Sequence, residues 1–388
     1  MIPKGRDIVC VGFSDWNGEL LTNEQHLLVR LAEHNNVLFV ESLGLRRPQV
    51  AGKDLRRIAR RLVRGVQPPR AVDGLHVLSP LVLPVHDRPA AVRLNAQILP
   101  RLVKAATRRL KMHDPVLWSF VPQAEVLLDR LRPSTVLYYV DDDHAAKKGI
   151  DAAAFHAAEE RFARRADAIM ASAPELAERM RALNPNVHFA PNVADTRLFA
   201  TALQDGPIDP ALAALPGPHI VFVGAIVANK LDLALITEVS RLRPDWSFAF
   251  VGPVGPGDPH TNVDALRDLP NVHLLGHRAY GALPQVLRGA DVAWLPYLTD
   301  GEMRSVFPMK TYEYLAAGAP VVSTPLPALA DVDEVAKATD AAGIVARLEQ
   351  ALAADDPAAR AARSDRAQAF SWESRIEQLG AVLDGARP

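Results

Sequence analysis

The sequence predicts an α/β protein built of two doubly wound, Rossmann-like parallel-sheet domains. Short apolar runs alternate with longer helical patterns from end to end, as strands buried between helices require. A proline- and glycine-rich stretch at 205–218 interrupts the alternation, which resumes at His219. At 388 residues the chain has room for two sizeable cores.

In the first half, strands are expected at 8–12, 37–41, 75–79, 116–120, 135–140 and 168–172, each an apolar run too short for a helix. Helical patterns at 23–33, 90–110 and 152–165 lie between them. After the linker, strands are expected at 220–224, at 248–251 and twice within 271–297. Residues 231–242 form a helical pattern. The last run, 370–383 (FSWESRIEQLGAVL), is amphipathic, with Ser371 as its N-cap. The expected organisation is a first domain at 1–204, a linker at 205–218, a second domain at 219–369 and a terminal helix at 370–388.

Charge is balanced, with 44 basic against 45 acidic residues, so no global field draws the chain to nucleic acid. The single cysteine, Cys10, lies in the apolar run Ile8-Val9-Cys10-Val11 and reads as core rather than nucleophile, which suits a reducing cytoplasm. The N-terminus lacks the apolar core of a signal peptide, and no apolar run approaches the ~18 residues that span a bilayer. These features predict a cytoplasmic protein.

The stretch 307–324, FPMKTYEYLAAGAPVVST, carries the strongest functional signal. It reads as a loop, a short helix with Pro308 in its first turn and Gly318 just past its end, and a buried strand at 320–323. A helix opened this way offers backbone N–H groups and partial positive charge to a phosphate. Met309 and Glu313 share one face, with Lys310 beside them. An ammonium suits a diphosphate and a carboxylate suits ribose hydroxyls. An isolated Lys-x-x-Glu would read as a local ion pair on a solvated helix.

In its setting the motif resembles the nucleotide-sugar glycosyltransferases of the GT-B fold (glycosyltransferase group 1-like), whose P-x-K-x-x-E-Y-L-A-A-G-x-P-V-V segment binds the donor nucleotide and diphosphate. Three further segments fit in the same order. Val221-Phe222-Val223-Gly224 with Lys230 is similar to the family's strand, glycine turn and phosphate-binding lysine. Residues 248–253, FAFVGP, including Gly252, are similar to its second strand and glycine turn. Residues 271–297 are similar to its strand, base-binding turn (His277, Tyr280), helix and next strand. Pro191-Asn192-Val193-Ala194-Asp195 resembles the segment before the interdomain linker. The resemblance implies two domains facing a cleft, a site at the carboxyl ends of their strands, and a last helix that crosses back to the first domain.

It further implies a donor site of Gly224, Lys230, Gly252, His277, Arg304, Ser305, Met309, Lys310 and Glu313, with the amides near Val306 and Phe307 facing the diphosphate. One position departs from the pattern. Many retaining members carry a second glutamate eight residues before the helix glutamate, where this chain has Ser305, preceded by Arg304. Met309-Lys310 instead resembles the donor-binding pair of the inverting glucuronosyltransferases of exopolysaccharide assembly, and similar EYLAAG helices occur in enzymes that build teichuronic acids and lipopolysaccharides. The donor sugar and the stereochemical outcome therefore stay open. No cofactor and no essential metal are implied, because GT-B enzymes commonly offset the diphosphate charge with cations of the protein.

In the first half, Asp141-Asp142-Asp143-His144 directly follows the strand at 135–140. Similar transferases show a tyrosine and paired aspartates at this strand end, matching Tyr138, Asp142 and Asp143, so Asp142 and then Asp143 are the catalytic candidates. Helix capping is the alternative reading, and Asp141-x-Asp143 has the spacing of a metal site. Asp15 and Trp16, in a loop between Gly12 and Gly18, are acceptor-side candidates, with loop packing as the equal alternative for Trp16. Residues 53–64, KDLRRIARRLVR, place Leu55, Ile58 and Leu62 between basic residues from Lys53 to Arg64. This is the pattern of a peripheral membrane helix or of a basic surface helix. The reading that follows is a transferase of a UDP-linked sugar to a glycan or lipid-linked acceptor. A small-molecule acceptor, a sugar-nucleotide epimerase and a non-catalytic nucleotide-binding protein are the alternatives.

Overall fold

A computed structural model describes residues 3–16, 22–42, 67–80, 89–147, 149–256, 258 and 260–385. The chain divides into two units, Met1–Pro191 with Arg375–Pro388, and Asn192–Ser374.

In the first unit the apolar runs become β1 (Asp7–Val11), β2 (Asn36–Val40), β4 (Leu75–Leu78), β5 (Val116–Ser119), β6 (Thr135–Val140) and β7 (Ala168–Ala171), joined by β3 (Arg70–Val72) and β8 (Val187–Phe189). The order is β3-β4-β2-β1-β5-β6-β7-β8, parallel throughout except the β3/β4 edge pair. Strands β5, β6 and β7 are buried along their whole length because helices cover both faces. Helices at Asn23–Ala32, Pro89–Arg109 and Ala152–Arg165 stand where the 3.6-residue pattern places them. Thr22 and Gln25 close a capping box at the first of them. Cys10 is fully buried in this sheet, and burial, with Glu24 nearby, pushes its thiol well up, as a core residue requires.

The second unit holds β9 (His219–Val223), β10 (Ser247–Val251), β11 (Val272–Leu274), β12 (Val292–Leu295), β13 (Val321–Ser323) and β14 (Val335–Lys337), ordered β11-β10-β9-β12-β13-β14 and all parallel. Connections run one way from β9 to β11 and the other way from β12 to β14. The topological switch point therefore lies between β9 and β12, where such sheets bind ligands.

The division at Pro191 and Asn192 lies ahead of the expected linker and corrects the expected bounds. Phe199, Ala202 and Leu212 are buried in the second core, so 192–218 belongs to that unit rather than joining two others. The terminal helix, Trp372–Gly385, is capped by Ser371, whose hydroxyl accepts the Ser374 N–H at 3.1 Å. From Arg375 onward it belongs to the first unit, where Arg375 donates to Tyr139 Oη at 3.2 Å and to the Pro191 carbonyl. The basic segment 53–64, Gly18 and residues 17–21 lie outside the described residues.

Candidate active site

Every donor-site candidate lies in the second unit, and the loops that carry most of them leave the carboxyl ends of its strands. The turn after β9 passes Gly224 and reaches Lys230, which is exposed. The loop after β12 is tied to it: Leu298 N–H donates to the Lys230 carbonyl at 2.8 Å and Asp232 N–H to that of Pro296 at 2.9 Å. The helix there starts at Leu233, with Asp232 as its cap, so Lys230 sits in the preceding turn and not in the helix. Gly252, after β10, has a structural reason for lacking a side chain. A Cβ there would stand 1.9 Å from the Gly224 carbonyl oxygen. His277 is exposed beyond Gly276, and the neighbouring Arg278 is engaged with Asp209 at 2.6 Å.

The helix of the 307–324 motif is short, Lys310–Ala316, with Met309 at its N-cap. It begins two residues after Pro308, whose carbonyl accepts from Thr311 N–H at 3.1 Å; Pro308 therefore precedes the helix instead of lying in its first turn. Its far end closes as a Schellman motif. Gly318, at φ +78°, donates to Leu315, and Ala319 donates to Tyr314. Asn192 Nδ2 donates to the Phe307 carbonyl at 2.7 Å, which ties the loop entering the helix to the segment that opens the unit.

Glu313 is 1% exposed. Lys310 Nζ donates to its Oε2 at 2.9 Å, and Tyr280 Oη donates to its Oε1 at 3.2 Å. Lys310 keeps a quarter of its side chain in solvent. The neighbouring Tyr297 hydroxyl is pushed up, first by burial and then by the Glu313 charge. Next along the helix, Tyr314 Oη accepts the Val223 N–H at 2.7 Å and donates to the Val223 carbonyl at 3.1 Å. Pairing between β9 and β12 ends at Val221, so Tyr314 takes over the ladder where no strand reaches. This phenol fixes the helix to the glycine turn. The sequence reading did not single it out. Ser305 is buried, Arg304 is exposed, and both lie in the 3₁₀ turn Gly301–Ser305.

In the first unit, Asp141, Asp142 and Asp143 follow β6, and each meets a different partner. His144 Nε2 lies 3.0 Å from Asp141 Oδ1, and Lys147 Nζ lies 2.8 Å from His144 Nδ1. An ammonium only donates, so Nδ1 accepts and the ring proton rests on Nε2, facing Asp141. Burial pushes the Asp141 carboxyl up, but His144 and Lys147 outweigh it and hold it below the usual range. Lys147 also pairs with Asp142 Oδ2 at 2.8 Å. Asp143 Oδ2 lies 3.4 Å from Arg179, which reaches buried Glu159 at 3.2 Å, and Glu159 accepts from Tyr138 Oη at 2.8 Å. Tyr138 therefore turns into the core.

The loop after β1 is held by a residue the sequence reading passed over. Glu24, 4% exposed, accepts the Phe13 and Ser14 N–H groups at 3.0 Å each, and the Ser14 hydroxyl. Burial pushes its carboxyl up to about 7, with the Asp141 charge adding to the rise and the hydrogen bonds opposing it. Phe13 stacks on His144 at 4.0 Å and lies under Lys147, so the two loops share one ring. Trp16 is buried against Phe39, its indole N–H on Asp73 at 3.1 Å and its backbone N–H on Glu41 at 3.0 Å. The loop-packing alternative describes its contacts. Asp15 stays half-buried.

Residues 217–355 match the family Glycosyl transferases group 1. TuaH of Bacillus subtilis, assigned as a teichuronic acid biosynthesis glycosyltransferase, is 34% identical over 174 residues, 44% of this chain and 43% of TuaH. The chain thus matches less than half the length of that relative. Among solved structures, HepE of Anabaena in complex with UDP superimposes with a TM-score of 0.70 at 14% identity, covering 98% of this chain and 100% of HepE. A UDP-forming trehalose-phosphate synthase of Burkholderia vietnamiensis does so at 0.69 and 14%, covering 98% and 99%. Identities this low speak for the fold, which is GT-B.

Proposed function

We propose that the chain transfers a sugar from a UDP-sugar to a glycan or lipid-linked acceptor in envelope or exopolysaccharide assembly, on the cytoplasmic side of the membrane. The observation that carries the reading is Glu313, a buried carboxylate held by Lys310 and Tyr280 on the motif helix of the matched domain. A buried Lys–Glu pair is weak support for stability alone. It makes sense as a set of bonds that a nucleotide takes over, the carboxylate accepting ribose hydroxyls and the ammonium meeting diphosphate. The UDP complex of HepE and the assignment of TuaH support the same reading.

Transfer breaks the bond between the anomeric carbon and a phosphate oxygen, leaving positive charge on the ring and negative charge on the diphosphate. In this proposal Lys310, exposed Lys230 and Arg304, and the amides of Val306 and Phe307 offset that negative charge without a metal. Met309 and Ser305 border the donor sugar, and His277 lies near the base. Gly224 and Gly252 bring backbone close to the phosphates. Asp142 takes the proton from the acceptor hydroxyl, with Asp143 as second choice and Asp15 on the acceptor side. Lys147 Nζ lies 2.8 Å from Asp142 Oδ2 and places a positive charge beside the proposed base.

Thermal stabilisation by UDP, GDP, ADP, dTDP and CMP, with and without EDTA, tests the donor half. A nucleotide at a hundred times its Kd adds about 2.7 kcal/mol. UDP should give that shift alone and keep it in EDTA, whereas no shift with any nucleotide would overturn the reading. With a UDP-sugar in hand, Asp142→Asn should lower kcat at least a hundredfold and leave the UDP shift intact. An unchanged kcat would remove Asp142 from the chemistry.

A further inference from the structure

The first unit contains a cavity of about 330 Å³ that the transfer chemistry above does not use. The volume is within the range of small-molecule sites, and equals about eleven water volumes at roughly 30 Å³ each. The crossovers β4 to β5, β5 to β6 and β6 to β7 all run the same way across the sheet, so right-handed connections put their helices on one face. The cavity lies among them, walled by Ala96 and Leu99, by Val126, and by Ile150, Phe155 and Ala158.

Its position follows from chain order. Gln123 comes four residues after the end of β5, and Ile150 belongs to the connection that leaves β6 through Asp142. Both place the cavity at the carboxyl edge of the sheet, the edge that carries the acidic loop. Of the charged groups in the lining, Arg161 Nε donates to Glu125 Oε2 at 3.0 Å, and Asp151 caps its helix by accepting the Ala154 N–H at 3.1 Å. Val92, a lining residue, is an exposed large apolar side chain. Gln123 Oε1 is buried and accepts no hydrogen bond from any described residue, so it awaits a donor.

We propose that this cavity takes the hydrocarbon segment of an amphiphilic acceptor, whose hydroxyl end then lies toward Asp142. The inference rests on the transferase reading for the word acceptor, but the site itself is tested separately.

The test is calorimetric titration of the full chain with hexyl, octyl and decyl β-D-glucosides below their micelle-forming concentrations, alongside UDP. Affinity should rise up to about fourfold per methylene and then level off once the cavity is full. Ala154→Phe, at an exposed helix position in the lining, should weaken octyl glucoside binding at least tenfold and leave UDP binding unchanged. Ala96→Phe, on the facing helix, gives the same reading should the first variant not fold. No binding of octyl glucoside overturns the proposal. So does binding that climbs without a plateau and ignores both variants, which marks adsorption to the surface. Alkyl binding that follows the expected pattern in a chain that binds no UDP keeps the cavity as an amphiphile site and overturns its role for an acceptor.

Discussion

Replacing Glu24 with Gln should change how the first unit responds to pH. The Glu24 carboxyl ordinarily titrates at 4.5 and is pushed up to about 7 in the folded chain by burial, with Asp141 adding like charge. A carboxyl raised in this way binds its proton more tightly folded than unfolded. Its contribution to stability is therefore complete below about pH 4.5 and gone once the pH has risen through about 7. The interval from 4.5 to about 7, at 1.36 kcal/mol per pH decade, amounts to about 3 kcal/mol. Glu24 is 4% exposed, so solvent screening takes little from that figure. Asp141 acts in the opposite sense, but its carboxyl is lowered and its window lies below the usual carboxylate range. His273, in the second unit, is lowered by burial and then by His219, and stabilises as pH rises toward 6.5. The difference between wild type and Glu24→Gln removes the His273 part and keeps from Asp141 only what its coupling to Glu24 changes, below the usual carboxylate range. Urea unfolding, followed by hydrogen exchange of the β1 peptides, should show the variant gaining about 3 kcal/mol relative to wild type between pH 4 and pH 8. The variant carries a constant offset, because a carboxamide nitrogen faces one of the two N–H donors at 3.0 Å. Parallel profiles across that range would refute the argument, since they require Glu24 to titrate alike in the folded and unfolded chain.

Other expectations concern the second unit. Glu313→Gln keeps the shape of the side chain and an acceptor for Tyr280, and should weaken UDP binding roughly tenfold to a hundredfold by titration calorimetry while moving stability by less than about 1 kcal/mol; unchanged affinity would detach the helix from the nucleotide. Tyr314→Phe strands the buried N–H and C=O of Val223 and should cost about 1–3 kcal/mol in urea unfolding. A smaller loss would mean that the carboxyl end of β9 finds other partners. Gly252→Ala puts a methyl 1.9 Å from the Gly224 carbonyl and should cost about 3 kcal/mol or more, and a melting temperature equal to wild type would show that the two turns separate easily.

What the sequence made legible, and what it hid, follows from where each signal resides. Strands flanked on both sides are apolar along their length, so β1, β2, β5, β6 and β7 stand within a residue of their expected bounds. The strands left out of the sequence reading, β3, β8 and β14, are three of the four sheet edges, three residues each and mostly half-exposed, with one neighbour to pair and little apolar content to betray them. Proline and glycine at 205–218 mark turns, yet composition does not say which core the turns serve. Phe199 and Leu212, buried in the second unit, decide that.

The same distinction governs the site. Lys310 and Glu313 are three residues apart, so their meeting is local and readable. The contacts that position them are not. Tyr280 lies 33 residues from Glu313, and Tyr314 lies 91 from Val223. In the first unit the three consecutive aspartates look interchangeable as text. Folding gives Asp141 to His144, Asp142 to Lys147 and Asp143 to Arg179, the last 36 residues away. Asp141 is thereby held ionised by an immobile buried ring, and Asp143 is drawn toward Glu159 through Arg179. Asp142 is paired with Lys147, an ammonium that also meets His144 Nδ1 and the Phe13 ring. Three identical side chains are thus told apart by the partners that folding gives them, which no pattern of residue types records.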